Sequence, residues 1–513
     1  MLFTSCNDIT TNEKVLPNIV LINADDLGYG DLGCYGATKV KTPNIDRLAV
    51  QGRLFTDAHA AAAVCSPSRY GLLTGQYPLR RNFWGPITKE TPLTIDTTYL
   101  TVSKVLKEAG YSTACIGKWH LGFGDDEETD FNQPLMPGPL ELGFDYYFGI
   151  PQVNSGPPFV YVENHHVVGY DPEDPFVYGE RSVTQEWPAK GWQAEFGGAK
   201  KAHTLYKDDK IGTTLKDKAI EWMNQVHTTK SEDPFFLYMA TTNIHHPFTP
   251  APQFVGTSEC GRYGDFIHEL DWMVGEVLSA LDDMGVEDNT LVIFTSDNGG
   301  MLNQGGQDAW LAGHRLNGDL LGAKFGAWEG GHRIPMIAKW PGEIPANSTS
   351  EQLISQVDLL ATFASIVDRP LDKDKNHDSA DLLEVLTGTP KSMVRDHLII
   401  SPNWPSHLVI RKGKWVYIDA QDEGGFRGKE IGEHTLGGAA ALKLTGYLNS
   451  DVLDGEIRSD APAGQLYDLS HDLSQTTNLY NEHPAMVEEL RGLLAEYREK
   501  IGDSLELGWI DRR

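Results

Sequence analysis

The chain has 513 residues, 43 of them Lys or Arg and 72 Asp or Glu, for a net charge of −29. That balance excludes a nucleic-acid partner, whose phosphates demand the opposite sign, and the length allows two domains with a large core. An anionic substrate would meet a repulsive far field, so any anion site has to be a local cationic pocket.

Five cysteines, at 6, 34, 65, 115 and 260, show no paired spacing. Their odd number argues against a disulfide framework, and no zinc-signature spacing is present. No apolar run is long enough to span a membrane. Residues 1–15 read either as a disordered start or as a signal remnant in which Cys6 is the lipid-bearing residue of a lipoprotein. A periplasmic, secreted or lipid-anchored location is the expectation, with the cytoplasm left open.

In chain order, four short apolar runs read as strands buried on both faces. Asn18–Asn23 runs into Asp25-Asp26, and Ser112–Ile116 into Gly117-Lys118-Trp119-His120. Phe235–Ala240 runs into Asn243-Ile244-His245, and Leu291–Thr295 into Ser296-Asp297-Asn298. Ligands of open α/β sheets bind outside the carboxyl ends of strands, so reactive residues at four such ends point to one shared site.

Helices fall between the strands. Thr42-Pro43 opens one as N-cap and first-turn proline and Gly52 closes it. Val102, Val105, Leu106 and Ala109 keep helical spacing up to Gly110, and Ile267 to Leu281 carry an apolar stripe before Gly285. Residues 122–200 are rich in Pro, Gly and aromatics and predict an irregular insert that walls the pocket. After about residue 390 the pattern changes. Leu398-Ile399-Ile400 and Lys414 to Ile418 read as antiparallel strands, and residues 483–501 as a final helix. The expected fold class is α/β, a large mixed, mostly parallel sheet flanked by helices, over residues 16–390. A smaller α+β domain with an antiparallel sheet follows over 391–513.

Three groups of residues carry chemistry. The first is Cys65-Ser66-Pro67-Ser68-Arg69. Ser66 can cap a helix starting at Pro67, which sets Cys65 at a positive helix terminus suited to sulfate or phosphate. By spacing alone the same pentapeptide is a buried cysteine in a capped turn. The second is Asp25, Asp26, Asp297 and Asn298, which offer only oxygen and so favour Ca²⁺, or less well Mg²⁺, over zinc. The third is Arg69, Lys118 and Lys324, able to bind oxyanion oxygens, with His120 and His245 able to move protons. His246 and the His165-His166 pair read as structural.

Together with Thr42 to Ala49, Trp328-Glu329-Gly330-Gly331, Ile410 to Trp415 and Leu466 to Leu469, these motifs resemble the formylglycine-dependent (type I) sulfatase family of the alkaline-phosphatase superfamily. Gly256 to Asp265 resembles its arylsulfatase A and N-acetylgalactosamine-6-sulfatase branch. The resemblance implies an alkaline-phosphatase-like fold and sulfate ester hydrolysis on a sulfated carbohydrate. It implies that a maturation enzyme oxidises Cys65 to formylglycine. Its hydrate attacks sulfur, His245 and Lys324 serve the leaving alcohol, and His120 helps deprotonate the second hydroxyl. Asp25, Asp26, Asp297, Asn298 and residue 65 hold Ca²⁺. The family often has Asp-Gly where this chain has His377-Asp378-Ser379-Ala380-Asp381. Two other readings fit the same residues: a formylglycine phosphonate or phosphate monoester hydrolase, and a non-catalytic sulfoglycan-binding protein in which Cys65 is not matured. Arg81, Trp84, Asn164, His165, Asn317 and His407 are possible wall residues. Neither the sugar nor the oligomeric state is legible.

Overall fold

The structure, a computed structural model, describes residues 15–125, 128–179, 196–231, 233–369, 371 and 378–501. Cys6 and His377 lie outside them.

The apolar runs pair as the centre of a ten-stranded sheet. Five strands are parallel neighbours: Thr290–Ser296, Asn18–Ala24, Phe235–Ala240, Ser112–Lys118 and Tyr146–Ile150. Met336–Lys339 and Arg53–Phe55 continue one side antiparallel, and Val162–Glu163 with His166–Val167 continue the other. Alternation along each strand splits its side chains between two cores. Val20 and Ile22 join the helices Pro43–Gln51, Ile211–Thr229 and Gly261–Asp283 on one face. Ile19 and Leu21 join Cys65–Thr74, Val102–Glu108 and Leu359–Ile366 on the other. Each fully buried Leu or Ile on these faces contributes about 1.5–3 kcal/mol.

The register explains where the polar strand ends meet. Ala24 lies opposite Ser296, Asn23 opposite Ala240, and Ala240 opposite Gly117. The residues that follow therefore leave the sheet at one level. Backbone bonds extend this order beyond the strands: Asp25 N–H donates to the Asn243 carbonyl and Asp297 N–H to the Ala24 carbonyl, at 2.8 and 3.0 Å.

A second sheet of four antiparallel strands comprises His397–Ile400, Val409–Lys412, Trp415–Ile418 and Gln465–Asp468. The helix Pro484–Arg498 packs on it through Val487, Leu490 and Leu494. Its core is continuous with Trp84 and Trp328 of the earlier chain.

Two expected caps differ. The helix bearing the cysteine runs Cys65–Thr74 with Val64 as N-cap, and Ser66 Oγ accepts from the Ile87 N–H rather than capping. Thr42 precedes its helix as expected, but its hydroxyl donates to Asp46 and accepts from the Gly33 N–H, tying the neighbouring turn. In both cases a tertiary partner outcompetes the local cap.

Gly117 is where the backbone requires glycine. Its φ is +127°, and a Cβ there would lie 1.8 Å from the Ala240 carbonyl oxygen of the adjacent strand. We expect Gly117→Ala to destabilise the protein by about 3 kcal/mol or more, read from the urea midpoint; a shift within ordinary surface-mutation range would contradict the close approach.

Candidate active site

At the carboxyl edge of the parallel strands, Asp25, Asp26 and Asp297 put carboxylate oxygens within 4.8 Å of one another, all buried. Three cations answer them. Lys118 Nζ donates to Asp25 Oδ2 at 2.8 Å. Lys324 Nζ pairs with Asp26 Oδ1. Arg69 donates from Nε to Asp297 Oδ2 at 3.0 Å, and its NH2 group pairs with the same oxygen at 2.8 Å. Its remaining nitrogen donates to the Lys118 carbonyl at 3.0 Å. The Arg69 guanidinium is thus held by Asp297 and the Lys118 backbone.

Burial pushes the Asp25 carboxyl up to about 7; Lys118 opposes this, while Asp297 and Asp26 add to it. Burial also raises Asp26, but Lys324 and Lys118 outweigh it and hold that carboxyl below its ordinary value. Asp25 Oδ1, Asp26 Oδ2 and Asn298 Oδ1 are buried with no hydrogen-bond partner. Asn298 turns its amide nitrogen to Asp26 Oδ1 and the Gly299 carbonyl, at 3.0 and 2.9 Å, so the oxygen is its free end. Orphaned oxygens at this density suit a hard divalent cation bound by carboxylate and carboxamide.

Cys65 is 2 % exposed at the first turn of its helix. Its Sγ lies 3.4 Å from His120 Nδ1. Burial raises the thiol, against the pull of Lys118 and Lys324. The thiol is therefore a poor nucleophile as it stands. His120 is lowered well below the usual histidine range by burial and by Lys118, Arg69 and Lys324. Both Asp26 and His120 adopt left-handed backbone, with φ of +62° and +53°. Such conformations in non-glycine residues cluster at sites where the surroundings over-determine them.

His245 is fixed by a residue that sequence reasoning missed. Its Nδ1 faces Asn154 Oδ1 at 3.0 Å and the His246 carbonyl at 2.6 Å, and Asn154 Nδ2 donates back to the His245 carbonyl at 3.1 Å. Two acceptors at Nδ1 place the proton there and leave Nε2 for exchange. Burial and the neighbouring His246, Lys118 and Lys324 lower this ring well below its usual range. Asn154 sits in the irregular insert, where no periodicity marks it. His246 is not isolated: it stacks on His245 and meets His434 edge-on, each at 4.4 Å between centroids. His434 comes from the later part of the chain, as does Phe426, whose ring lies 4.1 Å from that of Phe325. Of the possible wall residues, Asn317 bonds the backbone of Gly300 and Gly322, His165 pairs with Glu141, and His407 bonds the Gln421 carbonyl.

Glu423 joins this later chain to the loop that carries Lys324. Its carbonyl accepts from the Ala327 N–H at 2.7 Å, and its carboxylate accepts from the Gly438 N–H. Burial, with Asp422 adding, pushes this carboxyl up to about 8 from an ordinary value of 4.5. Below the ordinary value both folded and unfolded chains hold the proton. As pH rises from there towards the folded value, the unfolded chain releases it first, and stability falls through that window. Glu423→Gln should flatten this decline, measured by urea denaturation at about pH 5 and about pH 8; an unchanged slope would contradict a buried protonated Glu423.

Comparison with known proteins agrees with this geometry. The family model described as Sulfatase matches residues 17–368. An N-acetylgalactosamine-6-O-sulfatase of Bacteroides thetaiotaomicron is 39% identical over 532 residues, covering 97% of each chain. The N-acetylgalactosamine-6-sulfatase of Mus musculus is 36% identical over 429 residues, covering 79% of this chain and 74% of its own. A solved Bacteroides thetaiotaomicron sulfatase, from work on the metabolism of multiple glycosaminoglycans, superimposes with a TM-score of 0.81 and 38% identity, over 95% of this chain and 100% of that one. The chain belongs to the sulfatase family.

Proposed function

We propose that this hydrolase removes the 6-O-sulfate of an N-acetylgalactosamine unit in a sulfated carbohydrate, using residue 65 after oxidation to formylglycine and a Ca²⁺ ion. The observation that carries the reading is the pairing of three orphaned oxygens, on Asp25, Asp26 and Asn298, with a helix-terminal Cys65 against His120. The names of the similar full-length proteins support the sugar and the position.

Asp25, Asp26, Asp297 and Asn298 would hold the ion, which supplies Lewis acidity at a sulfate oxygen when bound. Formylglycine, when formed, supplies a hydrated aldehyde as nucleophile and lets one hard displacement become two easier ones. The chain's own residues do the rest. Lys118 and Lys324 neutralise the anionic ester locally, which the net charge of −29 makes necessary. Arg69 is a positioning residue: clamped on Asp297, it fixes the helix that presents residue 65. His120, next to Cys65 Sγ, is placed to take a proton from that side chain. His245 offers Nε2 to the leaving oxygen while Asn154 holds the ring. Arrival of an anion opposes the cationic neighbours that depress both rings, so proton uptake at His245 is favoured when substrate is bound.

The direct test is sulfate release from defined sulfated mono- and oligosaccharides by protein matured in a host with a formylglycine-generating enzyme. N-acetylgalactosamine 6-sulfate should be the best substrate, Cys65→Ala should abolish release, and chelation should lower it with recovery on adding Ca²⁺. Faster turnover of aryl phosphonate than of any sulfate ester, or full activity in Cys65→Ala, would overturn the reading.

The acid role predicts a dependence on leaving group. His245→Ala should cut turnover of a sugar sulfate about 10²–10⁴-fold, and that of 4-nitrophenyl sulfate, whose leaving group needs no proton, far less. Equal losses on both substrates would remove His245 from that role.

A further inference from the structure

A second cluster of chemistry-bearing residues lies outside the site just described. His59, Glu329 and His332 are all fully buried, and their ligand atoms lie within 4.8 Å of one another. The backbone sets the two histidines side by side: His59 bridges to Arg333, Ala60 N–H donates to the His332 carbonyl at 2.8 Å, and Ile334 N–H to the Ala58 carbonyl at 3.0 Å.

The hydrogen-bond accounting is unusual. His332 Nε2 faces the Ala327 carbonyl at 3.2 Å, an atom that can only accept, so the ring proton sits on Nε2. His59 Nε2 faces Asp57 Oδ1 at 2.9 Å. Arg411 and Arg333 pair with Asp57 at 2.9 and 3.3 Å, so this carboxylate faces the ring as an acceptor. With both Nε2 atoms turned to acceptors, the two Nδ1 atoms face each other at 3.0 Å. Glu329 Oε2 is taken by Arg333 at 3.1 Å, whereas Glu329 Oε1 is buried with no partner. Two ring nitrogens and a carboxylate oxygen thus converge at one buried point.

We propose that His59 Nδ1, His332 Nδ1 and Glu329 Oε1 bind a borderline transition-metal ion, of which Zn²⁺ is the type. One such ion satisfies all three atoms. The outer partners are those that orient metal-bound imidazole: a carboxylate on one ring, a backbone carbonyl on the other, and an arginine on the ligating carboxylate. Arg333 and Arg411 cancel the charges of Asp57 and Glu329, so the site has no surplus negative charge. That selects against Ca²⁺ and Mg²⁺, which rely on carboxylates, and for an ion bound by neutral imidazole nitrogen. The site is distinct from the all-oxygen cluster of Asp25, Asp26 and Asn298, and it does not depend on what the protein hydrolyses.

The test uses the protein loaded with Zn²⁺, desalted and analysed for metal. Wild type should retain one zinc equivalent more than the His59→Gln/His332→Gln double variant. Asp57→Asn, which alters the outer partner of His59 and its pairing with Arg333 and Arg411, should weaken zinc binding about 10–100-fold. Co²⁺ in place of zinc should give the visible absorption of nitrogen-ligated cobalt in wild type and not in the double variant. Should the variants fail to fold, crystals of zinc-loaded wild type decide by anomalous scattering at the zinc edge. A peak between His59, His332 and Glu329 supports the site, and its absence overturns it. A downfield ring N–H resonance shared by both Nδ1 atoms in zinc-treated protein would also overturn it, since a proton would then fill the place assigned to the metal.

Discussion

Three buried carboxylates at one level of a parallel sheet repel one another, and the rest of the site follows from how that repulsion is met. Asp25, Asp26 and Asp297 each draw in a cation from a different part of the chain. At low dielectric, removing one partner of such a pair leaves an uncompensated charge, so each pairing is held firmly. Each pairing also fixes a piece of backbone. Lys118 anchors the strand end that leads to His120. Lys324 anchors the loop before Glu329. Arg69, one turn below Cys65, anchors the helix that carries it. The position of Cys65 is thereby set by an ion pair it does not itself make.

The second sheet is more than an appendage. Its strands share a core with Trp84 and Trp328, and Trp328 Nε1 donates to Gln465 Oε1 at 2.8 Å. The chain leaving it returns to the rim, where Glu423 bonds the backbone beside Lys324 and His434 lies against His246. Gln307 clamps this excursion, donating to the Glu433 carbonyl and accepting from the Gly432 N–H, each at 2.7 Å. The rim of the site is therefore completed by the long connection between two strands of the second sheet.

The α/β architecture was legible because continuous apolar runs ending in polar residues describe strands buried on both faces. Strand ends are also where Asp25, Lys118, His245 and Asp297 could be named. Partners were harder. Arg69 and Asp297 are 228 positions apart, and nothing in either neighbourhood says which carboxylate the arginine meets. Asn154 lies in a loop without periodicity, so its grip on His245 left no trace in the pattern. Ser66 followed cap statistics in sequence and broke them in space, because Ile87 offered its N–H. His59 and His332 are 273 positions apart and fit no ligand spacing, so only the folded backbone pairs them.

Cys65 is 2 % exposed, in the first turn of a helix whose every residue is buried. No second protein can reach its sulfur in the native state. On the proposed formylglycine reading, an enzyme that oxidises it would have to meet the pentapeptide before the chain has folded. On that reading modification and folding would compete, with residue 65 early in the chain and Lys324 and Glu423 late. A chain that folds first would then keep its thiol.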